Sequence, residues 1–122
     1  MKKSIIITAG GIGKRMGGEL PKQFLLLRAK PVLIHTLERF FDFDPSAQII
    51  VTLPKDWVTF WKELLVQFNI RIPHELVDGG TERFHSIQNA LAICNGDQIA
   101  IHDGVRPLVS LETIARCFEG LK

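Results

Sequence analysis

Between Ser4 and Gln23 the chain reads SIIITAGGIGKRMGGELPKQ. An apolar run stops at a cluster of glycines, and Lys14, Arg15 and Lys22 follow with one carboxylate, Glu19, between them. Glycine costs backbone entropy, so such a cluster marks a sharp turn or a place where something approaches the backbone closely. N–H groups bared by glycines bind anionic oxygens, and a Lys and an Arg on the same loop add charge. The chemistry open to this set is phosphoryl transfer, in which negative charge grows on the oxygens around the attacked phosphorus and preorganised cations stabilise it. The loop is of neither common phosphate-binding kind. Gly11-Ile12-Gly13-Lys14-Arg15-Met16 breaks the dinucleotide fingerprint at its last position, and no Gly-Lys-Ser/Thr occurs.

Two further stretches carry candidate chemistry. In IAIHDGVRP, Asp103 directly follows an apolar strand pattern and Arg106 stands three residues on. A carboxylate there suits Mg²⁺ bridging phosphates, and an Arg suits an anionic group held bidentately. Turn capping by Asp103, paired with Arg106, is the plainer alternative. In VDGGTERFHSI, Gly79 and Gly80 let a ligand lie against the backbone, while Thr81, Ser86 and a helix start offer donors. That suits a base or ribose edge, although turn-and-cap chemistry explains much of it; Asp78 reads as structural. The histidines fit no catalytic pattern. His35, His74 and His85 neighbour no nucleophile motif, no pair has zinc-ligand spacing, and His102 alternates in direction with Asp103 on its strand.

The elements that must position these residues follow from periodicity. Ser4–Thr8, Gln48–Leu53, His74–Val77 and Gln98–His102 read as strands. Pro31 opens a first helix carrying Val32, Ile34, Leu37 and Phe41. Pro54 and Asp56 begin a second, with Trp57, Trp61, Leu64, Leu65 and Phe68 on a face that reads as core. Thr81 caps a third, through Phe84, Ile87, Leu91 and Ile93, and Ser110 starts a last one. Strands alternating with helices predict an α/β fold: a Rossmann-like, doubly wound, mostly parallel sheet with helices on both faces. Gly10–Gln23, Asp78–Ser86 and Asp103–Pro107 then fall at the carboxyl ends of strands, where such sheets bind ligands. No strand follows the last helix, so the 122 residues read as the front part of a larger sheet and the nucleotide-binding part of one domain.

Composition narrows the class. The chain is 46% hydrophobic and 23% charged, as ordinary globular proteins are. A net charge of only +2 argues against a nucleic-acid partner, and no apolar run is long enough for a membrane span. Residues 1–30 nevertheless carry +6 against −4 for the remainder, so positive charge gathers around the glycine loop, as a bound anion requires. Cys94 and Cys117, in helix-like segments without metal spacing, read as reduced thiols, and the location as cytoplasmic.

Ala9-Gly10-Gly11-Ile12-Gly13-Lys14-Arg15-Met16, then Pro21-Lys22-Gln23, resembles the signature of nucleotidylyltransferases with a glycosyltransferase-A-like sheet. Asp78-Gly79-Gly80-Thr81-Glu82-Arg83 and His102-Asp103-Gly104-Val105-Arg106-Pro107 narrow the resemblance to the 2-C-methyl-D-erythritol 4-phosphate cytidylyltransferase family. The resemblance implies transfer of CMP from CTP to a sugar-alcohol phosphate, in a cytoplasmic homodimer. It implies that Arg15 and Lys22 stabilise the transition state and that the backbone of Ala9, Gly10, Gly11, Gly13 and Lys14 holds the triphosphate. Gly79, Gly80, Thr81 and Ser86 would contact the cytidine part, Asp103 would bind Mg²⁺, and Arg106 would lie near the acceptor phosphate. Thr81 stands where the family often has Asp. The family also has a second half carrying further active-site residues and the dimer arm, so this chain alone is expected to be incomplete for catalysis. The alternatives are a ribitol-5-phosphate cytidylyltransferase, a non-catalytic nucleotide-binding module and, more remotely, a dehydrogenase.

Overall fold

The computed structural model describes residues 2–9, 24, 26–79 and 83–103. Four strands, β1 (Lys3–Thr8), β4 (Gln48–Leu53), β5 (Glu75–Asp78) and β6 (Gln98–Asp103), form one sheet in the order β5-β4-β1-β6, with every pairing parallel. Helices α1 (Val32–Phe43), α2 (Val58–Gln67) and α3 (Arg83–Leu91) connect them. Two short strands, β2 (Leu26–Leu27) and β3 (Lys30–Pro31), pair as an antiparallel hairpin ahead of α1.

The chain steps from β1 to β4 to β5 in one direction, then crosses back to β6 on the other flank of β1. Parallel crossovers keep one hand, so this reversal sends α3 to the face opposite α1 and α2. The packing agrees. Ile5, Ile7, Ile49, Val51 and Leu53 pack with Leu33, Ile34, Leu37 and Phe40 of α1 and with Trp61 and Leu64 of α2. Ile6 and Ile50, one residue out of phase, pack with Ala90 of α3 and with Val77, Cys94 and Ile99. Alternation along a strand sends neighbours to opposite faces, and both faces here are covered. Hence Ile5, Ile6 and Ile7 are all fully buried, and β1 reads as a continuous apolar run.

Several boundaries differ from those expected. Pro31 ends β3 in extended backbone (φ −55°, ψ 140°), and α1 begins at Val32. A 3₁₀ turn, Lys55–Trp57, precedes α2; Trp57 lies in that turn and Phe68 lies just past the helix. The third strand starts at Glu75, leaving His74 in the loop before it. Helix α3 ends at Leu91, because the turn through Ile93 and Cys94 must bring the chain back to β6; both residues therefore lie beyond the helix. The helix expected from Ser110, together with Cys117, lies outside the described residues. Cys94 is a free thiol, and burial pushes its pKa up.

The β2–β3 hairpin was absent from the periodicity reading. Its turn places Arg28 and Ala29 at φ 53° and 66°, the left-handed pair that a two-residue hairpin needs and that Asn-Gly normally signals. Contacts from α1 hold it in place: His35 Nε2–H donates to the Leu27 carbonyl (2.6 Å), and Lys30 Nζ pairs with Glu38 (2.8 Å).

At the amino edge of the sheet one polar network ties three strands and the α3–β6 turn together. Ser4 Oγ donates to Gln48 Oε1 (2.7 Å), which also accepts the Asn95 N–H (2.9 Å). Gln48 Nε2 donates to the Ile93 carbonyl and to Glu75, and the Gly96 N–H donates to Ser4 Oγ (2.9 Å). The turn approaches β1 so closely that a Cβ on Gly96 would stand 2.6 Å from Ser4 Oγ and 2.7 Å from Ser4 N. Gly96→Ala should therefore destabilise the protein by about 1–3 kcal/mol, the usual cost of overpacking. Chemical denaturation would measure it, and an unchanged midpoint would contradict the close approach.

Trp61 is fully buried, and its indole N–H donates to His74 Nε2 (3.0 Å). An indole N–H only donates, so His74 must be neutral there, with its proton on Nδ1 directed at the Ile72 carbonyl (2.8 Å). Burial holds the imidazole below its ordinary value of 6.5. The unfolded chain therefore takes up this proton first as pH falls. The contribution to stability is complete above about pH 6.5 and is lost as pH drops from there through the lower folded value. His74→Gln, which keeps an acceptor and does not titrate, should flatten this acid-side loss in denaturation midpoints measured between pH 7.5 and 5.

Candidate active site

The strand order reverses between β1 and β6, and open parallel sheets bind their ligands beyond the carboxyl ends of the strands at such a reversal. The register places Thr8 opposite both Thr52 and Asp103, and Leu53 opposite Asp78. Ala9, Asp103 and Gly79 therefore stand at one edge of the sheet. At about 4.8 Å per strand, Asp103 lies roughly 5 Å across from Thr8 and about 14 Å from Asp78 on the far strand. A ligand laid along the strand ends would run from one to the other.

The residues that can be placed form the frame of this edge. The Ala9 N–H donates to the Thr52 carbonyl (3.0 Å) and to Thr52 Oγ1 (3.2 Å), so the start of the glycine loop is tied to β4. Thr8 Oγ1 donates to the His102 carbonyl (3.2 Å), which ties β1 to β6 just before Asp103. On the other flank the Gly79 N–H donates to the Leu53 carbonyl (2.7 Å). Buried Ser86 donates its hydroxyl to the Gly79 carbonyl, and Asn89 Nδ2 donates to the Asp78 carbonyl (3.0 Å).

Of the expected site residues, Ala9, Gly79, Ser86 and Asp103 are thus brought to one edge. Gly10, Gly11, Gly13, Lys14, Arg15, Lys22, Gly80, Thr81 and Arg106 lie outside the described residues. The histidines take other places. His35 holds the hairpin, His74 accepts from Trp61, and His85 is exposed on α3. His102 packs its ring edge-on to Phe40 (centroids 4.9 Å apart) on the α1 side of the sheet. Thr8, Thr52 and Asn89 were not singled out from the sequence. Nothing in their local pattern marks them, since each bonds a backbone group that only the strand register brings near.

Among the described residues no three His, Cys, Asp or Glu side chains gather as a metal site. Mg²⁺ commonly binds through one or two carboxylates plus substrate phosphates, so a divalent cation at this edge does not require such a gathering. No helix among the described residues is long and apolar enough to cross a membrane.

Thr52→Val keeps the shape of this frame and removes the second acceptor of the Ala9 N–H. The loss should be about 0.5–1.5 kcal/mol of stability, read from a denaturant midpoint. A neutral result would mean that the Thr52 carbonyl alone satisfies that N–H.

Comparison with known proteins identifies the family. The sequence profile of the family described as IspD, 2-C-methyl-D-erythritol 4-phosphate cytidylyltransferase, matches residues 4–122. The cytidylyltransferase of that name from Bacteroides thetaiotaomicron is 51% identical over 98% of this chain and 55% of its own length. The one from Bacteroides fragilis is 54% identical over 97% and 54%. The chain thus spans about half the length of these relatives. Among solved structures, the bifunctional IspDF of Campylobacter jejuni superposes with a TM-score of 0.81 at 27% identity, over all of this chain and 31% of its own. The 4-diphosphocytidyl-2C-methyl-D-erythritol synthase of Anaerococcus prevotii gives 0.80 at 28%, over 98% and 50%. With the parallel sheet, the glycine loop leaving its central strand and a profile match across nearly every residue, this chain belongs to the 2-C-methyl-D-erythritol 4-phosphate cytidylyltransferase family.

Proposed function

We propose that the intact protein transfers CMP from CTP to 2-C-methyl-D-erythritol 4-phosphate and releases pyrophosphate, a step in making isoprenoid precursors. The observation that carries this reading is membership of the family across residues 4–122, with Ala9, Gly79 and Asp103 brought to the ligand-binding edge of the sheet. A phosphate oxygen of the acceptor attacks the α-phosphorus in line, the bond to the pyrophosphate oxygen breaks, and pyrophosphate leaves. That oxygen is already ionised, so neither a covalent enzyme intermediate nor a general base is required. The protein's work is positioning and charge stabilisation.

In this reading the backbone from Ala9 to Lys14 holds the triphosphate, and Arg15 and Lys22 meet the charge that develops at the α-phosphorus. Gly79, Gly80, Thr81 and Ser86 receive the cytidine part, and Arg106 faces the acceptor phosphate. Mg²⁺ held by Asp103 would neutralise phosphate charge when bound. The intact protein would act as a cytoplasmic homodimer. Ribitol 5-phosphate is the second acceptor to test, because the motifs in this chain suit a cytidylyltransferase for either substrate.

The test is pyrophosphate release from CTP with each acceptor in turn. Turnover with 2-C-methyl-D-erythritol 4-phosphate and none with ribitol 5-phosphate is expected; the opposite preference would overturn the acceptor, and no release with either would overturn the activity. Arg15→Ala and Lys22→Ala should each raise the barrier in kcat by about 2–4 kcal/mol, the scale of a lost oxyanion donor. Near-wild-type rates in both variants would rule out this mechanism.

A further inference from the structure

Ser86 and Asn89 lie three residues apart on α3 and so share one of its faces. Together they grip the carboxyl end of β5. Asn89 Nδ2 donates to the Asp78 carbonyl (3.0 Å), while the N–H of the same peptide unit, that of Gly79, donates to the Leu53 carbonyl (2.7 Å). One peptide plane is thus held at both of its polar ends, from α3 on one side and from β4 on the other. The next carbonyl, that of Gly79, is taken by Ser86. A planar peptide anchored at both ends cannot swing about its flanking bonds. Glycine has no side chain to impose a conformation, so a Gly79-Gly80 pair has no preferred shape of its own. Whatever binds against it must order it, at a cost in affinity, unless the surroundings have done so beforehand.

We propose that Asn89 is a positioning residue for nucleotide recognition. Acting through the Asp78–Gly79 peptide, it presets the end of β5, against which the cytidine part of CTP lies. The proposal rests on the CTP reading above. Asn89 is exposed and hydrogen-bonds the backbone at the last residue of β5, outside the hydrophobic core. Its removal should therefore loosen that strand end without loosening the fold.

The test uses the intact protein with Asn89→Leu, which keeps the shape and lacks the donor, and Asn89→Ala, with Gln88→Ala on the neighbouring exposed position as control. CTP affinity is measured by calorimetry, KM and kcat at saturating acceptor, and the melting temperature without ligand. In both Asn89 variants the Kd and KM for CTP should rise about fivefold, the size of one lost hydrogen bond. In those variants kcat and melting temperature should stay near wild type, and the control should not move. Unchanged CTP affinity in both Asn89 variants, or a fall in melting temperature or kcat without a change in affinity, overturns the positioning role and leaves the CTP reading standing. A wild-type protein that does not bind CTP overturns both.

Discussion

The structure depends on β1 being buried on both faces and paired on both edges. Ile5, Ile6 and Ile7 reach no solvent, and the strand is flanked by β4 on one side and β6 on the other. A strand in that position cannot shift by one residue, because a slip would exchange the sets facing α1 and α3. Its carboxyl end is therefore held in register with both neighbouring strands. From that point the sequence runs on into its glycine- and cation-rich stretch. A loop that must admit a polyanion closely needs freedom at its glycines and certainty at its root. Thr52 fixes the root at Ala9, and Thr8 fixes the neighbouring strand at His102.

The two edges of the sheet divide the polar work. At the amino edge, side chains satisfy one another and the α3–β6 turn, through Ser4, Gln48 and Glu75. At the carboxyl edge Thr8, Thr52, Ser86 and Asn89 all bond backbone groups instead. The first arrangement closes an edge; the second holds the strand ends through their backbone. An edge whose side chains were consumed in mutual bonds would have little left to shape loops around a ligand.

How much was legible beforehand follows from the same physics. β1 and β4 were legible as short β-branched apolar runs, buried on both faces, and the helices by apolar residues recurring at a spacing of three to four. The hairpin was not, because Arg28 and Ala29 occupy left-handed backbone without Gly or Asn, and His35 and Glu38 hold it from α1. Helix α3 was read two residues too long because Ile93 continues its apolar pattern while the backbone has already turned toward Gln98. In the candidate site, the glycine-rich stretch, Asp103 and the Gly79-Gly80 pair were proposed from residue type and from their place after strands. Thr52 and Asn89 did not. A threonine in a strand and an asparagine on an exposed helix face are ordinary residues until the register shows whose N–H or carbonyl they meet.

Nucleotide and acceptor differ in the same respect. A triphosphate is bound by features that a short stretch of chain supplies together: successive N–H groups, a Lys and an Arg. Such features are readable one motif at a time, and the loop after β1 contains them. A polyol phosphate is small, polar and largely uncharged apart from one end. Selecting it requires several donors and acceptors converging from separate elements, each placed to leave a wrong hydroxyl unpaired. No single motif carries that information. The nucleotide half of the reading therefore stands on residues that can be named here, whereas the acceptor half stands on kinship across the chain.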